Sequence, residues 1–437
     1  MSRPLAAALL LGATLAGCGK SLPGEGRGHS AGVTTVAGAS TLAASGLATK
    51  NTTRLGGADP IADAAAVALA VNPGLTPATR PAAVVLVNDR DWTAALAASA
   101  LAGAPLGAPL LYAEGDTLPA ISGEALGALK PRGSARLGGT QVIEVGSTAA
   151  PTGYRTRSLS ATARAGEAQG GESSGGESGG AAATEAALAA RIEHLVAVAR
   201  GAPPRRVIVI GADGPRALAM PAAGLAAESG TPILPVGATG IPRATRRVLA
   251  GLHRPAIYAV GPAAAVSDAV LAKLSRLGPV RRIDAGTDTP TNLAAHPGSK
   301  GSVGTSEAVA TAIAVARYRE GVFGWGVEEP GHGLVFANAA RPLDAPAAAP
   351  LSAHGDYGPL LLLQDSASVP APLTLYLSNI EPGYTAAVPP VREVYNHGWL
   401  IGDERAISAH AQAELDAVLE IAPRQPSAGE QSVLQAE

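Results

Sequence analysis

One cysteine, two phenylalanines and three tryptophans are all that the 437 residues hold of those types, and aromatic residues make up 3% of the chain. An internal disulfide is therefore excluded, because Cys18 has no partner. Cores built on stacked rings are excluded as well. Charge of one sign is also lacking, with 33 basic residues against 35 acidic ones. A nucleic-acid face normally shows a basic excess. No Lys/Arg-rich run marks one, so no nucleic-acid partner is expected. Arg outnumbers Lys 28 to 5; with the Ala excess, we read this as composition bias rather than as a binding surface. No Gly-X-Y period is present, which excludes collagen. Hydrophobic residues reach 47%, too many for wholesale disorder at near-zero net charge. Cores must then be built from Ala, Val, Leu and Ile, and 54 Gly and 35 Pro must punctuate them. The length suits about three domains.

The N-terminus carries a specific short signal. Arg3 gives a positive start, and Leu5 to Leu15 form an apolar stretch too short to span a bilayer. The stretch ends Leu15-Ala16-Gly17-Cys18, which resembles the lipobox of bacterial lipoproteins. Cys18 supplies the nucleophilic thiol that such lipidation needs, and the small residues before it let an extended backbone enter a signal peptidase. Residues 1–18 are thus expected to be a lipoprotein signal peptide, and the protein to be exported and lipid-anchored through Cys18. Residues 19–49 are small and polar and read as a flexible tether.

Internal repetition organises the rest. Val84–Val87, Val207–Ile210 and Leu334–Ala337 are short, continuous apolar runs, as expected of buried parallel strands. A proline opens a second apolar run 25 residues after the start of each, at Pro109, Pro232 and Pro359. Ala-rich segments of helical character lie between, at 93–103, 215–228 and 343–353. A further proline follows at Pro119, Pro242 and Pro370. Gly261 and Gly402 each end a strand ahead of a Ser that can cap a helix, Ser267 and Ser408. In the first copy Val142–Val145 is the matching strand, with its following helix degraded. Helices at 61–71, 185–200 and 306–318 lead the three copies.

Strand and helix alternating in short steps predict βαβ units with right-handed crossovers. The expected fold is α/β: three tandem doubly wound (flavodoxin/Rossmann-like) parallel-sheet modules. Their expected bounds are 50–150, 184–290 and 300–422. A low-complexity linker occupies 151–183 and a disordered tail 423–437.

These features resemble the cell wall-binding repeat 2 family of bacterial surface proteins. A unit of that family opens with an Arg…Gly-x-Asp-Arg stretch, which is clearest here in Thr53-Arg54-Leu55-Gly56-Gly57-Ala58-Asp59 and echoed in Arg282-Ile283-Asp284-Ala285-Gly286-Thr287-Asp288. The family's Asp-Ala helix start survives as Asp344-Ala345. The resemblance implies three modules in a pseudo-threefold arrangement that hold anionic wall polymer non-covalently. It also makes Arg54, Asp59, Arg282, Asp288 and Asp344 candidate polymer contacts, with a structural ion pair or helix cap as the competing role of each. Trp325, in Gly324-Trp325-Gly326, is the best candidate for an exposed sugar-stacking ring, whereas Trp399 lies inside a strand.

No catalysis is expected. Gly171-Glu172-Ser173-Ser174-Gly175 matches a nucleophile elbow only in spacing, with no strand before it. The eight His show no metal-ligand spacing, no Walker A motif is present, and no cofactor is implied. The expectation is a lipid-anchored surface protein binding an envelope glycopolymer through repeated modules. The alternative is a solute-binding lipoprotein for a small molecule.

Overall fold

Each of the three apolar runs becomes an inner strand of its own parallel sheet. The computed structural model describes residues 48–146, 148, 150–161, 181–286, 303–353, 358–384 and 394–423, all within one compact unit. Cys18 and its lipobox, most of the tether, residues 162–180 of the linker, Asp288 and the tail after residue 423 lie outside the described residues.

In chain order the first stretch holds β1 (Thr52–Leu55), α1 (Pro60–Val71), β2 (Val84–Asn88), α2 (Trp92–Ala98), β3 (Leu110–Ala113), α3 (Ala120–Leu129), β4 (Val142–Val145) and β5 (Thr156–Leu159). The second holds α4 (Ala181–Arg200), β6 (Arg206–Gly211), α5 (Pro221–Ser229), β7 (Ile233–Val236), α6 (Arg243–Gly251), β8 (Ala256–Val260), α7 (Asp268–Leu274) and β9 (Val280–Ile283). The third holds α8 (Val303–Arg317), β10 (Gly333–Asn338), α9 (Asp344–Ala353), β11 (Leu360–Leu363), α10 (Ala371–Asn379), β12 (Gly383–Tyr384), β13 (His397–Ile401), α11 (Ala409–Val418) and β14 (Ala422–Pro423).

The three large sheets run β3-β2-β4-β5, β7-β6-β8-β9 and β11-β10-β13-β1, every pair parallel. The recurring prolines explain the local starts. Pro109, Pro232 and Pro359 stand one residue before an edge strand, where no N–H is needed. Their carbonyls still accept from Val85, Ile208 and Val335 in the ladder. Pro119, Pro242 and Pro370 sit at the N-caps of α3, α6 and α10 with extended ψ, where the missing proline N–H removes no bond of the helix.

The helices that follow the inner strands β2, β6 and β10, namely α2 with the turn at 99–101, α5 and α9, pack against one another in the centre. Their alanines are buried, among them Ala95, Ala97, Ala223, Ala226, Ala347 and Ala348. Small side chains are required there. A Cβ added at Gly224 would lie 2.9 Å from Ser352 Oγ, and one at Gly103 would lie 2.5 Å from the carbonyl oxygen of Ala227.

The sheet pairing redraws two expected boundaries: β5, within the span 151–183 expected to be a linker, is the fourth strand of the first sheet, and the start of the first module moves as well. Residues 52–55 are expected in the first module, but β1 is the fourth strand of the third sheet, paired with β13 from Thr52↔Gly398 to Leu55↔Ile401. The reason is cyclic. β5 and β9 are likewise the fourth strands of their sheets, and the helix after each crosses to the next copy. Thus α4 packs on α2 of the first copy and on β7 and α6 of the second. In the same way α8 packs on α5 and on β11 and α10, while α1 packs on α9 and on β3 and α3. In the third sheet the fourth position is filled by β1, from ahead of the first copy's inner strand. The ring is closed by a four-residue strand.

The first copy differs in one respect. α7 and α11 follow the third strands β8 and β13, but the described residues between β4 and β5 form turns only, in line with the degraded helix that the sequence suggests. No helix among the described residues is long and apolar enough to cross a membrane.

Candidate functional site

Arg54 is buried at 3% exposure, on the ring-closing strand. Its Nη1 donates to the carbonyls of Gly402 (3.0 Å) and Asp403 (2.8 Å), and its Nη2 to the carbonyl of Ile407 (2.7 Å) and to Gln412 Oε1 (2.8 Å). These acceptors line the turn from β13 into α11. Arg282 repeats the arrangement on β9, donating to the carbonyls of Gly261 (2.9 Å) and Val266 (2.8 Å) and to Asp268 (2.7 Å). Gly261 and Gly402 occupy the same place, with φ of 105° and 93°. A side chain would be strained at such φ values. In both copies the serine then caps the helix, Ser267 for Val270 N–H and Ser408 for Ala411 N–H. The arginine of the opening motif is therefore a clamp on this turn. Arg54 is corrected from polymer contact to structural residue, because its guanidinium is enclosed and directed at four acceptors. Arg282 performs the same task at a less buried position. In the first copy Ser158 replaces the arginine and donates to Glu144 instead. Clamp and helix are lost together there.

Asp59 caps α1, accepting from the N–H groups of Ile61 (3.0 Å) and Ala62 (2.9 Å). Asp344 starts α9 and is fully buried, which corrects its assignment as a polymer contact. It accepts from Arg341 Nε at 2.6 Å, while Arg341 Nη2 reaches Asp63 on α1. Asp63 is also fully buried and takes the N–H of Gly57 at 2.6 Å. One guanidinium thus serves two buried carboxyls at the junction of the first and third copies. Burial and the neighbouring Asp344 push Asp63 up to about 8, and burial pushes Asp344 up to about 6. The Tyr112 hydroxyl, raised by burial, donates to the carbonyl of Leu343 at 2.7 Å and ties β3 to the same junction.

Trp325 is half-buried and packs against the core, so the expected exposed ring is corrected too. Trp399 is half-buried in β13 and meets His397 edge-on, with centroids 5.0 Å apart. Trp92 is buried at the start of α2 beneath the Arg216 guanidinium, 5.5 Å from the ring centroid. Among the described residues no group of three or more His, Cys, Asp or Glu converges as a metal site.

The surface feature with a clear chemical bias lies elsewhere. A groove of about 590 Å³ runs between the edge strand β5, helix α4 and helix α6. Arg157, Arg191, His194 and Arg247 line it, with serines and apolar residues between them and, among the described residues, no carboxylate. Arg157 and Arg247 are exposed. β5 supplies Arg157 from the open edge of the first sheet, and α6 supplies Arg247 from the second copy. α4, which joins the two copies, forms the floor. Guanidinium forks facing an open groove suit carboxylate or phosphate groups. None of these residues was singled out in the sequence. The available signal was Arg243-Ala244-Thr245-Arg246-Arg247, three arginines within one turn and a half of α6. Reading the arginine content as composition bias concealed it.

The fold has solved counterparts. Cwp6 from Clostridium difficile superposes with a TM-score of 0.59 at 16% sequence identity, covering 85% of this chain and 48% of that one. Cwp8 from Clostridium difficile superposes with a TM-score of 0.54 at 16% identity, covering 85% of this chain and 51% of that one. This chain therefore spans about half the length of each. No protein-family model matches it, and no curated protein does. The chain thus shares with Cwp6 and Cwp8 an α/β fold of repeated parallel-sheet modules.

Proposed function

We propose that this protein is a cell-wall-associated surface protein that holds an anionic envelope glycopolymer in the groove between β5, α4 and α6. The observation that carries the reading is the lining of that groove, which among the described residues holds three arginines and one histidine and no carboxylate. The shared fold with Cwp6 and Cwp8, which are cell wall proteins, supports the location. The motif residues Arg54 and Asp344 play no direct part in binding on this reading, because both are buried. Three sheets in cyclic contact do not form two lobes around one cleft, and nothing in the groove favours a small solute over a polymer. Retention on the wall rests on ionic contacts, so it weakens as salt rises. Co-sedimentation of the full chain with deproteinised cell wall, repeated across salt concentrations, tests the reading. Pelleting at low salt supports it, and a supernatant protein at every salt concentration overturns it.

The lipid anchor belongs to the same proposal and rests on the Leu15-Ala16-Gly17-Cys18 sequence. Two or more acyl chains on Cys18 hold a protein at a membrane stably, whereas one chain does not. Cys18→Ser is expected to abolish incorporation of labelled palmitate and to release the protein from the membrane fraction. Undiminished labelling of the Ser variant would rule out this anchor.

A further inference from the structure

The cyclic fold offers three equivalent positions for such a groove, one at each junction between copies. Each is bounded by a fourth strand, a leading helix and the helix that follows the second strand. The second residue of the fourth strand is Arg157 on β5, Arg281 on β9 and Thr53 on β1, each in the same register against the third strand. The residue five positions after the helix-opening proline is Arg247 on α6, Leu375 on α10 and Glu124 on α3. Both positions are arginine at the first junction only. At the second junction Arg281 is paired with Glu320 at 2.7 Å, and Glu320 also accepts from the Tyr318 hydroxyl at 2.8 Å. At the third junction Thr53 bonds to His397 at 3.0 Å, and Glu124 brings charge of the opposite sign.

We infer that one groove of the three, at the junction of the first and second copies, is the polymer site, that it takes one polymer strand per molecule, and that Arg157 and Arg247 determine its choice of a polyanion. This inference rests on the polymer reading above and sharpens it. The repeat was inherited three times, but the charges that read an anion stand at one position. Avidity from three sites within a chain is then absent. The ligand chemistry is a chain of repeated negative groups, whether carboxylates of acidic sugars or phosphodiesters, since a guanidinium fork fits both. A neutral glycan lacks the partner for either arginine.

Isothermal titration of the full chain in detergent tests this with three probes: an oligogalacturonate, a poly(glycerol phosphate) oligomer and neutral dextran of similar length. The expected result is a stoichiometry of one with at least one acidic probe and no heat with dextran. The stronger of the two acidic probes identifies the group. Arg157→Glu with Arg247→Glu is expected to weaken binding by about tenfold or more and to lower the salt dependence by about two charges. Leu375→Glu and Glu124→Gln, at the equivalent positions of the other junctions, are expected to leave affinity unchanged and serve as matched surface controls. A stoichiometry of three, binding indifferent to the double reversal, equal binding of dextran, or wall binding with neither acidic probe bound overturns the single-groove inference while leaving a polymer role intact. A full chain that binds neither the probes nor the wall overturns both.

Discussion

Arg54→Ala is expected to cost about 3–5 kcal/mol of folding stability, because it leaves buried acceptors without a donor and opens a cavity beside them. Three carbonyls, those of Gly402, Asp403 and Ile407, and the Gln412 side chain converge on this guanidinium. They belong to the last copy, whereas Arg54 belongs to the first strand of the described chain. The lost bonds are therefore those that close the ring. The neighbouring residues reinforce the closure. Asn51 N–H and Thr49 Oγ1 both donate to Asp416 on α11, at 2.7 Å and 2.6 Å. With Arg54 gone, β1 is held by four residues of ladder at the edge of its sheet. Limited proteolysis should then cut near residues 48–58 while the segment around β6 stays protected. Arg282→Ala supplies the comparison. It removes the same clamp from the second copy, but its side chain is 16% exposed and water can replace part of what is lost. Its cost should be smaller, about 1–3 kcal/mol, and β1 should stay in place. Denaturant unfolding of the two variants measures the difference. Equal losses would contradict a special role for the closing strand.

Arg341→Met is expected to be as damaging, and its damage should depend on pH. In the native protein the guanidinium faces two buried carboxyls, Asp63 and Asp344, at the junction of α1 and α9. Asp59 also acts on Asp344 and raises it further. Both carboxyls stand above their ordinary value of 3.8, Asp63 at about 8 and Asp344 at about 6. Between that ordinary value and the raised ones, the folded chain keeps protons that the unfolded chain has released. Stability from these groups therefore falls as pH rises through the window and is most favourable at its acidic end. Removing Arg341 takes away the cation that both carboxyls contact. Both carboxyls then rise further, so at pH 8 the folded variant must hold protons that the unfolded chain has released or bury charge with no cation beside it, at a cost of about 3–5 kcal/mol. Near pH 5 both carboxyls are protonated and the cost shrinks. Unfolding midpoints of the variant and the parent at pH 5 and pH 8 read this directly. A loss independent of pH would show that packing rather than charge accounts for the effect.

The sequence was most legible where structure is local. Continuous apolar runs and prolines at fixed spacing place β2, β3, β6, β7, β10 and β11, because burial and the missing proline N–H act within a few residues. The capping serines Ser267 and Ser408 were legible for the same reason. What joins distant parts of the chain was not. β1 is four residues long and its partner lies about 345 residues away, so no local pattern marks the pairing. Arg54 and Arg282 were found as motif residues but assigned to a ligand, because a guanidinium aimed at its own turn and one aimed at a polymer look alike in one dimension. Asp344 met the same fate, since Asp63, the carboxyl with which it shares Arg341, sits in another copy. The arginines of the groove come from β5, α4 and α6 and converge only after the copies interlock. Their one local trace, the cluster on α6, was masked by the arginine-rich background of the chain.

The central claim, that an arginine groove between the first two copies retains the protein on an anionic envelope polymer, is tested most directly by wall co-sedimentation of the double variant Arg157→Glu, Arg247→Glu beside the unaltered chain. Both side chains are exposed, so the fold should survive the change. The account predicts that the unaltered chain pellets with deproteinised wall at low salt and leaves it as salt rises, while the variant stays in the supernatant throughout. A variant that pellets as fully as the parent at low salt would contradict it.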